Sequence, residues 1–131
     1  MTTEYLRATI SEYFRVGFAS TAEVEYENQS TIDPSTRATP YVKLSLRLTT
    51  NEQISFNPEP RTRQRGAVQV DIYVKKGTGS KTAYLIAETV NALFMRQSIS
   101  GIEFQTPNTL SPLDVVGWFR LTLRCPFYYD S

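Results

Sequence analysis

The sequence predicts an α+β fold in which two helices pack on one face of a mainly antiparallel or mixed β-sheet. Several segments alternate strictly between apolar and polar residues, which is the pattern of strands that bury only one face. Two other segments repeat apolar residues at helical spacing, and each predicts an amphipathic helix. The length of 131 residues suits a single domain, residues 1–131, with one core. A doubly wound nucleotide-binding fold would need continuous apolar strands in regular βαβ order, and the chain has neither.

The first helix is predicted over residues 4–18. Its apolar residues fall on one side, and charged residues decorate the other. The apolar set is Leu6, Ile10, Tyr13, Phe14 and Phe18. Residues 22–28, AEVEYEN, then alternate and predict a half-buried strand with Glu23, Glu25 and Glu27 on its outer face. The polar segment from Asn28 to Pro40 is expected to be a loop.

Two strong strand patterns follow. One places Val42, Leu44, Leu46 and Leu48 on a single face, and the other does the same for Val68, Val70, Ile72 and Val74. Between them, we expect a long polar loop from Thr49 to Arg65, with a short strand around Ile54 and Phe56. Long loops on rigid scaffolds tend to carry function, so this loop and residues 28–40 are candidate contact regions.

The second half of the chain predicts one helix and two more strands. The helix buries Ala83, Ile86, Ala87, Val90, Leu93 and Phe94. A short strand is expected around Ile102 and Phe104, and NTLSPLD (residues 108–114) reads as loop. The last strand, in residues 115–127, turns Phe119, Leu121, Leu123 and Cys125 one way and Trp118, Arg120, Thr122 and Arg124 the other. The aromatic end of the chain predicts docking rather than fraying.

The composition excludes several classes of function. Histidine is absent and cysteine occurs once, so a Ser-His-Asp or Cys-His site within the chain and a zinc site are excluded. A net charge of +1 argues against a dedicated duplex-DNA binder. No apolar run approaches the length of a membrane span, and the charged N-terminus is unlike a signal peptide, so we expect an intracellular origin and no membrane contact. We predict no catalytic residue, no cofactor and no metal.

The segment GTGSKT, residues 77–82, is the best candidate for a nucleotide site. A phosphate-binding loop needs the spacing G-x-x-x-x-G-K-[ST]. Here Gly77 and Gly79 are only two residues apart, and Lys81 follows a serine. The dinucleotide pattern fails as well, since no third glycine follows. The segment is therefore interpreted as a tight turn from strand to helix, and a nucleotide-binding enzyme using residues 77–81 is a remote alternative.

Charged side chains are the candidate contact residues. Arg61, Arg63 and Arg65 alternate and would point the same way in an extended segment, toward an acidic partner or phosphate, unless they are simply solvated. Residues 1–36 hold six acids and two bases, and residues 61–81 hold six bases and one acid. Such polarity suits a head-to-tail contact between copies, with Glu23, Glu25 and Glu27 as its acidic half. Trp118 is either half-buried or an interface anchor.

Three segments resemble phage tail terminator proteins, also called tail completion or minor tail proteins, of long non-contractile tails. They are Val70 to Gly79 with the helix from Ser80 to Phe94, Gly101 to Phe104 with Pro107, and Gly117-Trp118 leading into Cys125 to Tyr128. The resemblance implies a small single domain of sheet and helices that forms a ring, commonly a hexamer, on the finished tail tube. It carries over no catalytic residue.

The function implied by the resemblance is structural. The ring would end tube polymerisation and offer the surface that joins the head connector, at the head-proximal end of the virion tail. Its partners would be itself, the tail tube protein and the head-to-tail connector protein. DNA would pass through the lumen without being read, and assembly would occur in the host cytoplasm. Another neck or baseplate component is the first alternative, and a nucleic-acid-binding module follows the nucleotide enzyme.

Overall fold

The computed structural model describes residues 3–18, 23–26, 40–53, 62–77, 81–115 and 117–130. In chain order the elements are α1 (Thr3–Phe18), β1 (Glu23–Tyr26), β2 (Tyr41–Gln53), β3 (Thr62–Lys75), α2 (Lys81–Phe94), β4 (Ser98–Ile99), β5 (Ile102–Phe104), β6 (Asn108–Thr109), β7 (Leu113–Val115) and β8 (Trp118–Asp130). The strands form a sheet of order β1-β2-β3-β8-β5-β4, with β6 and β7 also paired to β8. β1 runs parallel to β2, and all other pairs are antiparallel. The predicted α+β class with a mixed, mainly antiparallel sheet is confirmed.

Both helices pack on the same face of this sheet, as the alternation predicts. The register aligns Val42 with Ile72 and Ile72 with Leu121, and all three are buried beneath the helices. Phe14 of α1 stacks on Phe94 of α2 with ring centroids 6.1 Å apart. Each fully buried side chain of this size contributes about 1.5–3 kcal/mol through removal of apolar surface from water. The central strands are therefore held mainly from the helix side.

The opposite side of the sheet, which we call the open face, differs from the polar surface that alternation suggests. Tyr41, Tyr73 and Trp118 form a second buried cluster there. The rings of Tyr41 and Tyr73 stack at 4.7 Å, and the Trp118 ring meets Tyr41 edge-on at 5.2 Å. Three aromatic side chains from three neighbouring strands thus shield one another, which alternation within a single strand does not reveal.

The loop predicted from Thr49 to Arg65 is wrong at both ends, and residues 54–61 between them lie outside the described residues. β2 continues to Gln53 and β3 begins at Thr62, so the two strands form one long hairpin. A β-bulge at Thr49 separates the pairs Leu48–Gly66 and Thr50–Arg65. We call residues 49–53 and 62–65 the hairpin arm. The strand predicted around Ile54 and Phe56, and the loop predicted from Asn28 through residue 39, lie outside the described residues.

β8 has the predicted length but begins and ends three residues later than predicted. It pairs along one side with β3 and along the other with β5, β6 and β7. The last two of these strands occupy the segment predicted as loop. The predicted orientation of β8 is confirmed, because Leu121, Leu123 and Cys125 are buried in the core under the helices. Tyr129 pairs with Gln64 and Ile102, so the aromatic end of the chain is docked, as predicted.

A two-residue turn joins β4 to β5. Ile99 pairs with Ile102, and the two residues between them, Ser100 and Gly101, have φ of 50° and 85°. Positive φ at both central positions is the geometry that matches the twist of a tight hairpin. Among the described helices, none is long and apolar enough to cross a membrane.

Candidate functional site

Arg63 is held within the protomer at the end of the hairpin arm. Its Nε donates to one carboxylate oxygen of Asp130 at 2.7 Å, and its Nη2 donates to the other at 2.9 Å. The guanidinium also lies 4.3 Å from the centre of the Tyr128 ring. The hydrogen bond to Asp130 raises the pKa of Arg63 above its ordinary value. A two-pronged pair of this kind fixes both the position and the plane of the arginine.

Arg65 also has a partner in its own chain. Its Nε donates to Glu52 across the hairpin at 3.0 Å. Between the two arginines, the amide of Gln64 donates to the carbonyl oxygens of Thr50 and Arg65, each at 2.9 Å. The predicted row of arginines therefore ties the hairpin arm to itself and to β8. Arg61 lies outside the described residues, and whether Arg63 and Arg65 also contact a neighbouring subunit stays a prediction.

Trp118 is almost fully buried, with 5% of its surface exposed. Its ring packs against Tyr41, and Nζ of Lys75 lies 5.6 Å from its centre. The half-buried state considered from sequence is therefore wrong, because the pattern along one strand does not show the aromatic neighbours. Little of the Trp118 side chain remains for a partner to contact in this conformation.

The predicted acidic strand lies at the edge of the sheet. β1 pairs only with β2 among the described strands, and the register aligns Glu23 with Tyr41 and Glu25 with Lys43. Only the backbone of Glu23 and Glu25 is described, and Glu27 lies outside the described residues. The two described acidic positions, Glu23 and Glu25, thus lie at one border of the sheet, separated from β8 by β2 and β3.

The open face carries a polar network that sequence reasoning missed. Thr122 donates to Asp71 at 2.6 Å across the β3–β8 pair, and the amide of Gln69 lies 3.3 Å from the same carboxylate. The signal was available, because Asp71 is the one acid in an otherwise apolar and basic stretch. Asp71 therefore has two polar partners on the open face and makes no ion pair within the described part of the chain.

Three arginines on the open face make no ion pair within the described part of the chain. Arg47 lies on β2, and Arg120 and Arg124 lie on β8. Nε of Arg120 is buried and has no hydrogen-bond partner among the described residues. The sequence placed Arg120 and Arg124 on the outward side of the last strand, but nothing in it distinguished them from the arginines that are paired.

β3 ends in a turn at Lys76 and Gly77, which agrees with the interpretation of the sequence for the described part of this segment. Gly77 has φ of 91°, and the neighbouring Lys76 N–H donates to the carbonyl of Gly117 at 3.0 Å. α2 begins at Lys81, and residues 78–80 lie outside the described residues.

Burial raises the pKa of the Cys125 thiol to about 12, which suits a core residue rather than a nucleophile. Within the described residues, no cluster of three or more acidic, cysteine or histidine side chains is placed to hold a metal.

Comparison with known proteins gives a family and a fold. A family model described as phage tail terminator protein matches residues 4–127. No curated protein sequence matches the chain. One solved structure, which carries no functional name, superposes with a TM-score of 0.73 at 17% sequence identity. The alignment covers 100% of this chain and 96% of that chain. A chain from the virion of a native gene transfer agent particle has a TM-score of 0.55 at 16% identity, with 96% of this chain and 95% of that chain covered. At these identities, the two structures show a shared fold.

Proposed function

The chain belongs to the phage tail terminator protein family, and from this premise we propose that it forms a ring that caps the tail tube and ends tube polymerisation. The observation that carries the proposal is the family match, which spans residues 4–127 and so includes nearly all of the helices and strands. The family is named for a structural role rather than for a reaction. The protein is accordingly a structural component of a phage-like tail.

The geometry supports a protein that works through the shape of its surfaces. The long β2–β3 hairpin is tied to β8 at its far end by the Arg63–Asp130 pair, and its two strands are joined there by Arg65 and Glu52. Contacts that already hold the described part of the hairpin reduce the ordering entropy that it would lose on meeting a partner. In the proposed mechanism, one ring face matches the end of the tube, and the other face offers no site for a further tube subunit.

The proposed partners follow from that position. The ring, a hexamer in our proposal, contacts the tail tube protein on one face and the head-to-tail connector protein on the other. It lies at the head-proximal end of the virion tail after assembly in the host cytoplasm. DNA passes through the lumen without sequence-specific contacts. The likeness to a virion chain supports this setting at the level of the fold.

Electron microscopy of tails tests the proposal directly. Tails are purified from a producer with the gene and from one without it, and their lengths are measured in negative stain. We expect a single length with the protein and tails of uncontrolled length without it. Purified protein added during assembly should restore the single length.

Tails of normal length in the absence of the protein would contradict termination. In that case a defect in head attachment or in the distal tip would assign the protein to the neck or to the baseplate instead. Labelling of the protein in finished particles separates these two positions, because they lie at opposite ends of the tail.

A further inference from the structure

On the side of β8 away from β3, where β6 and β7 pair with it, exposed apolar side chains adjoin positive charge that has no ion-pair partner in the described part of the chain. Leu113 is the register partner of Arg120, and Leu110 donates its N–H to the carbonyl of Thr122 at 2.8 Å. Leu110 and Leu113 are 46% and 53% exposed. Arg124, the register partner of Asn108, is exposed like the two leucines. We call Leu110, Leu113, Arg120 and Arg124 the β8-edge patch.

Arg120 has a hydrogen-bond donor without an acceptor, and it has no ion-pair partner in the described part of the protomer. Its Nε is buried without an acceptor, although a buried donor normally finds one. The acids nearest in the fold are engaged elsewhere: Asp71 accepts from Thr122, and Asp114 lies 4.0 Å from Lys76. Glu103, further along the same border, accepts from Ser98 at 2.7 Å. A carboxylate from another molecule can reach the exposed Arg124, whereas Nε of Arg120 is itself closed to solvent.

The apolar neighbours indicate that the missing carboxylate belongs to a protein. Arginine is enriched at protein–protein interfaces, and apolar contacts around it exclude water there. A nucleic-acid backbone would gain little from Leu110 and Leu113. The patch therefore fits a protein surface that is acidic and partly apolar.

The opposite border of the same sheet has that chemistry. Residues 22–28, which include β1, hold three glutamates and no basic residue, together with Ala22, Val24 and Tyr26. β1 ends the strand order on one side, whereas the β8-edge patch lies on the other side of β3, on β8 and on the segment of β6 and β7 that pairs with it. Two complementary surfaces on opposite borders allow head-to-tail contacts, and contacts of this kind close into rings.

We propose that the β8-edge patch of one protomer docks on the β1 edge of a second copy, with Glu23 supplying a carboxylate to the arginines. Glu23 is the position chosen for the tests, because its register partner is Tyr41, whereas Glu25 is aligned with the basic residue Lys43. The inference rests on the proposed ring. It differs from the contact expected from sequence, since Arg63 and Arg65 are already paired within the chain and Arg120 and Arg124 take their place.

Engineered cysteines test the contact directly. The native Cys125 is buried, so new thiols dominate the surface reactivity. A Glu23→Cys, Leu113→Cys double variant is oxidised as concentrated protein and in assembled tails, and the products are separated by denaturing electrophoresis. We expect a ladder of linked protomers up to the ring. The control is Ala8→Cys with Leu113→Cys, in which the first position lies on the exposed side of α1.

Charge reversal gives a second, independent readout. Arg124→Glu should raise the concentration needed to terminate isolated tails about tenfold or more. Glu23→Arg should restore much of that loss when combined with Arg124→Glu. The matched control is Arg47→Glu, which changes an exposed arginine on the same face but away from the patch. Thermal unfolding of each variant separates a lost contact from a lost fold.

Two results would overturn the contact while leaving the proposed ring intact. One is termination by Arg124→Glu and Arg120→Gln at the wild-type concentration. The other is a ladder no stronger than that of the control pair, both in solution and on tails that contain the protein. Tails of normal length without the protein would instead contradict the ring itself, so the two failures are distinguishable.

Discussion

Gly66 occupies a position between β2 and β8 where no side chain fits. A Cβ atom there would lie 2.6 Å from the carbonyl oxygen of Arg47 and 3.0 Å from Cζ of Phe127. The backbone oxygen cannot move away without disturbing the β2–β3 ladder beside the bulge at Thr49. We therefore expect Gly66→Ala to lower the free energy of unfolding by about 1–3 kcal/mol, the usual cost of overpacking.

Urea denaturation measures this loss, and Gly17→Ala is the matched control. A Cβ atom at position 17 would meet Cδ2 of Leu93, which is the flexible end of a side chain and can rotate away. Alanine is also a better helix former than glycine, by about 1 kcal/mol. A Gly66→Ala protein as stable as the Gly17→Ala protein would contradict the close approach of the three strands.

The thiol of Cys125 is expected to react very slowly with thiol reagents in the folded protein. Burial raises the pKa of its thiol to about 12, so the reactive thiolate is scarce near pH 8. A chromogenic disulfide reagent should react on the order of 10³-fold more slowly with the native protein than with an exposed cysteine, as the ionised fraction alone requires. In urea, the same reagent should titrate one thiol per chain at the ordinary rate. Rapid reaction without denaturant would show that the core around Cys125 opens.

The hairpin arm is held by two cross-strand ion pairs of different exposure. The side chains of Arg63 and Asp130 are 27% and 24% exposed, whereas those of Arg65 and Glu52 are 40% and 51% exposed. Only the first pair is two-pronged and stacked on an aromatic ring. Screening by water weakens exposed pairs, so the first should couple more strongly.

A double-mutant cycle measures that difference. Arg63→Met, Asp130→Asn and the double variant are compared by urea denaturation, and the same cycle is made with Arg65→Met and Glu52→Gln. We expect a favourable coupling energy for the Arg63–Asp130 pair that exceeds the one for Arg65–Glu52. Equal coupling in the two cycles would contradict the ranking, and additive effects at Arg63 and Asp130 would contradict the pair.

α1 carries two ion pairs on its solvent side, and they make its stability depend on pH. The Arg7 guanidinium donates to Glu4 at 2.8 Å, and the Arg15 guanidinium donates to Glu12 at 3.0 Å. These hydrogen bonds lower the pKa of both glutamates below the ordinary value of 4.5. A carboxyl group with a lowered pKa in the folded state contributes stability above its ordinary pKa and loses it as the pH falls through the lowered value.

Melting temperatures between pH 6 and pH 3 should therefore fall less steeply for Glu4→Gln, Glu12→Gln than for the wild type. Both glutamines keep the helix but remove the titrating groups. Glu88→Gln on α2 is the control, because Glu88 has no basic partner within the described residues. Parallel pH profiles for the wild type and the double variant would show that the pairs do not form in solution.

The whole sheet shows which kinds of structure a single sequence can predict. Alternation in residues 68–74 was sufficient to place β3 and its buried face, and helical spacing placed both helices. The hairpin arm was missed because residues 49–53 are polar on both sides, so they carry no period of two. The sequence also could not predict the partners of the arginines. Arg63 pairs with Asp130, 67 positions away, and only the register of β3 with β8 brings the two residues together.

Of the candidate contact surface, too, the sequence predicted one part and could not predict the other. The acidic edge was predicted because its glutamates are neighbours in the sequence. Charge counts do not show which basic side chains already have a partner, so the sequence could not tell Arg63 and Arg65, which are paired within the chain, from Arg120 and Arg124. The burial of Trp118 likewise depends on Tyr41, which lies on a strand that precedes it by most of the chain.

β8 makes the fold depend on the last residues of the chain. It is the one described strand that joins the β2–β3 hairpin to the C-terminal strands, and its final residues close both sides. Phe127 is buried and packs on Phe104 with ring centroids 5.7 Å apart, and Asp130 receives Arg63. Removal of residues 127–131 therefore exposes the core beside Phe104, removes the ion pair at Arg63 and leaves β5 paired only with β4 among the described strands. We expect this truncated chain to lose near-ultraviolet circular dichroism and cooperative urea unfolding, whereas removal of Ser131 alone should leave both unchanged. A cooperative transition in the chain that ends at Pro126 would show that the sheet is completed without the end of β8.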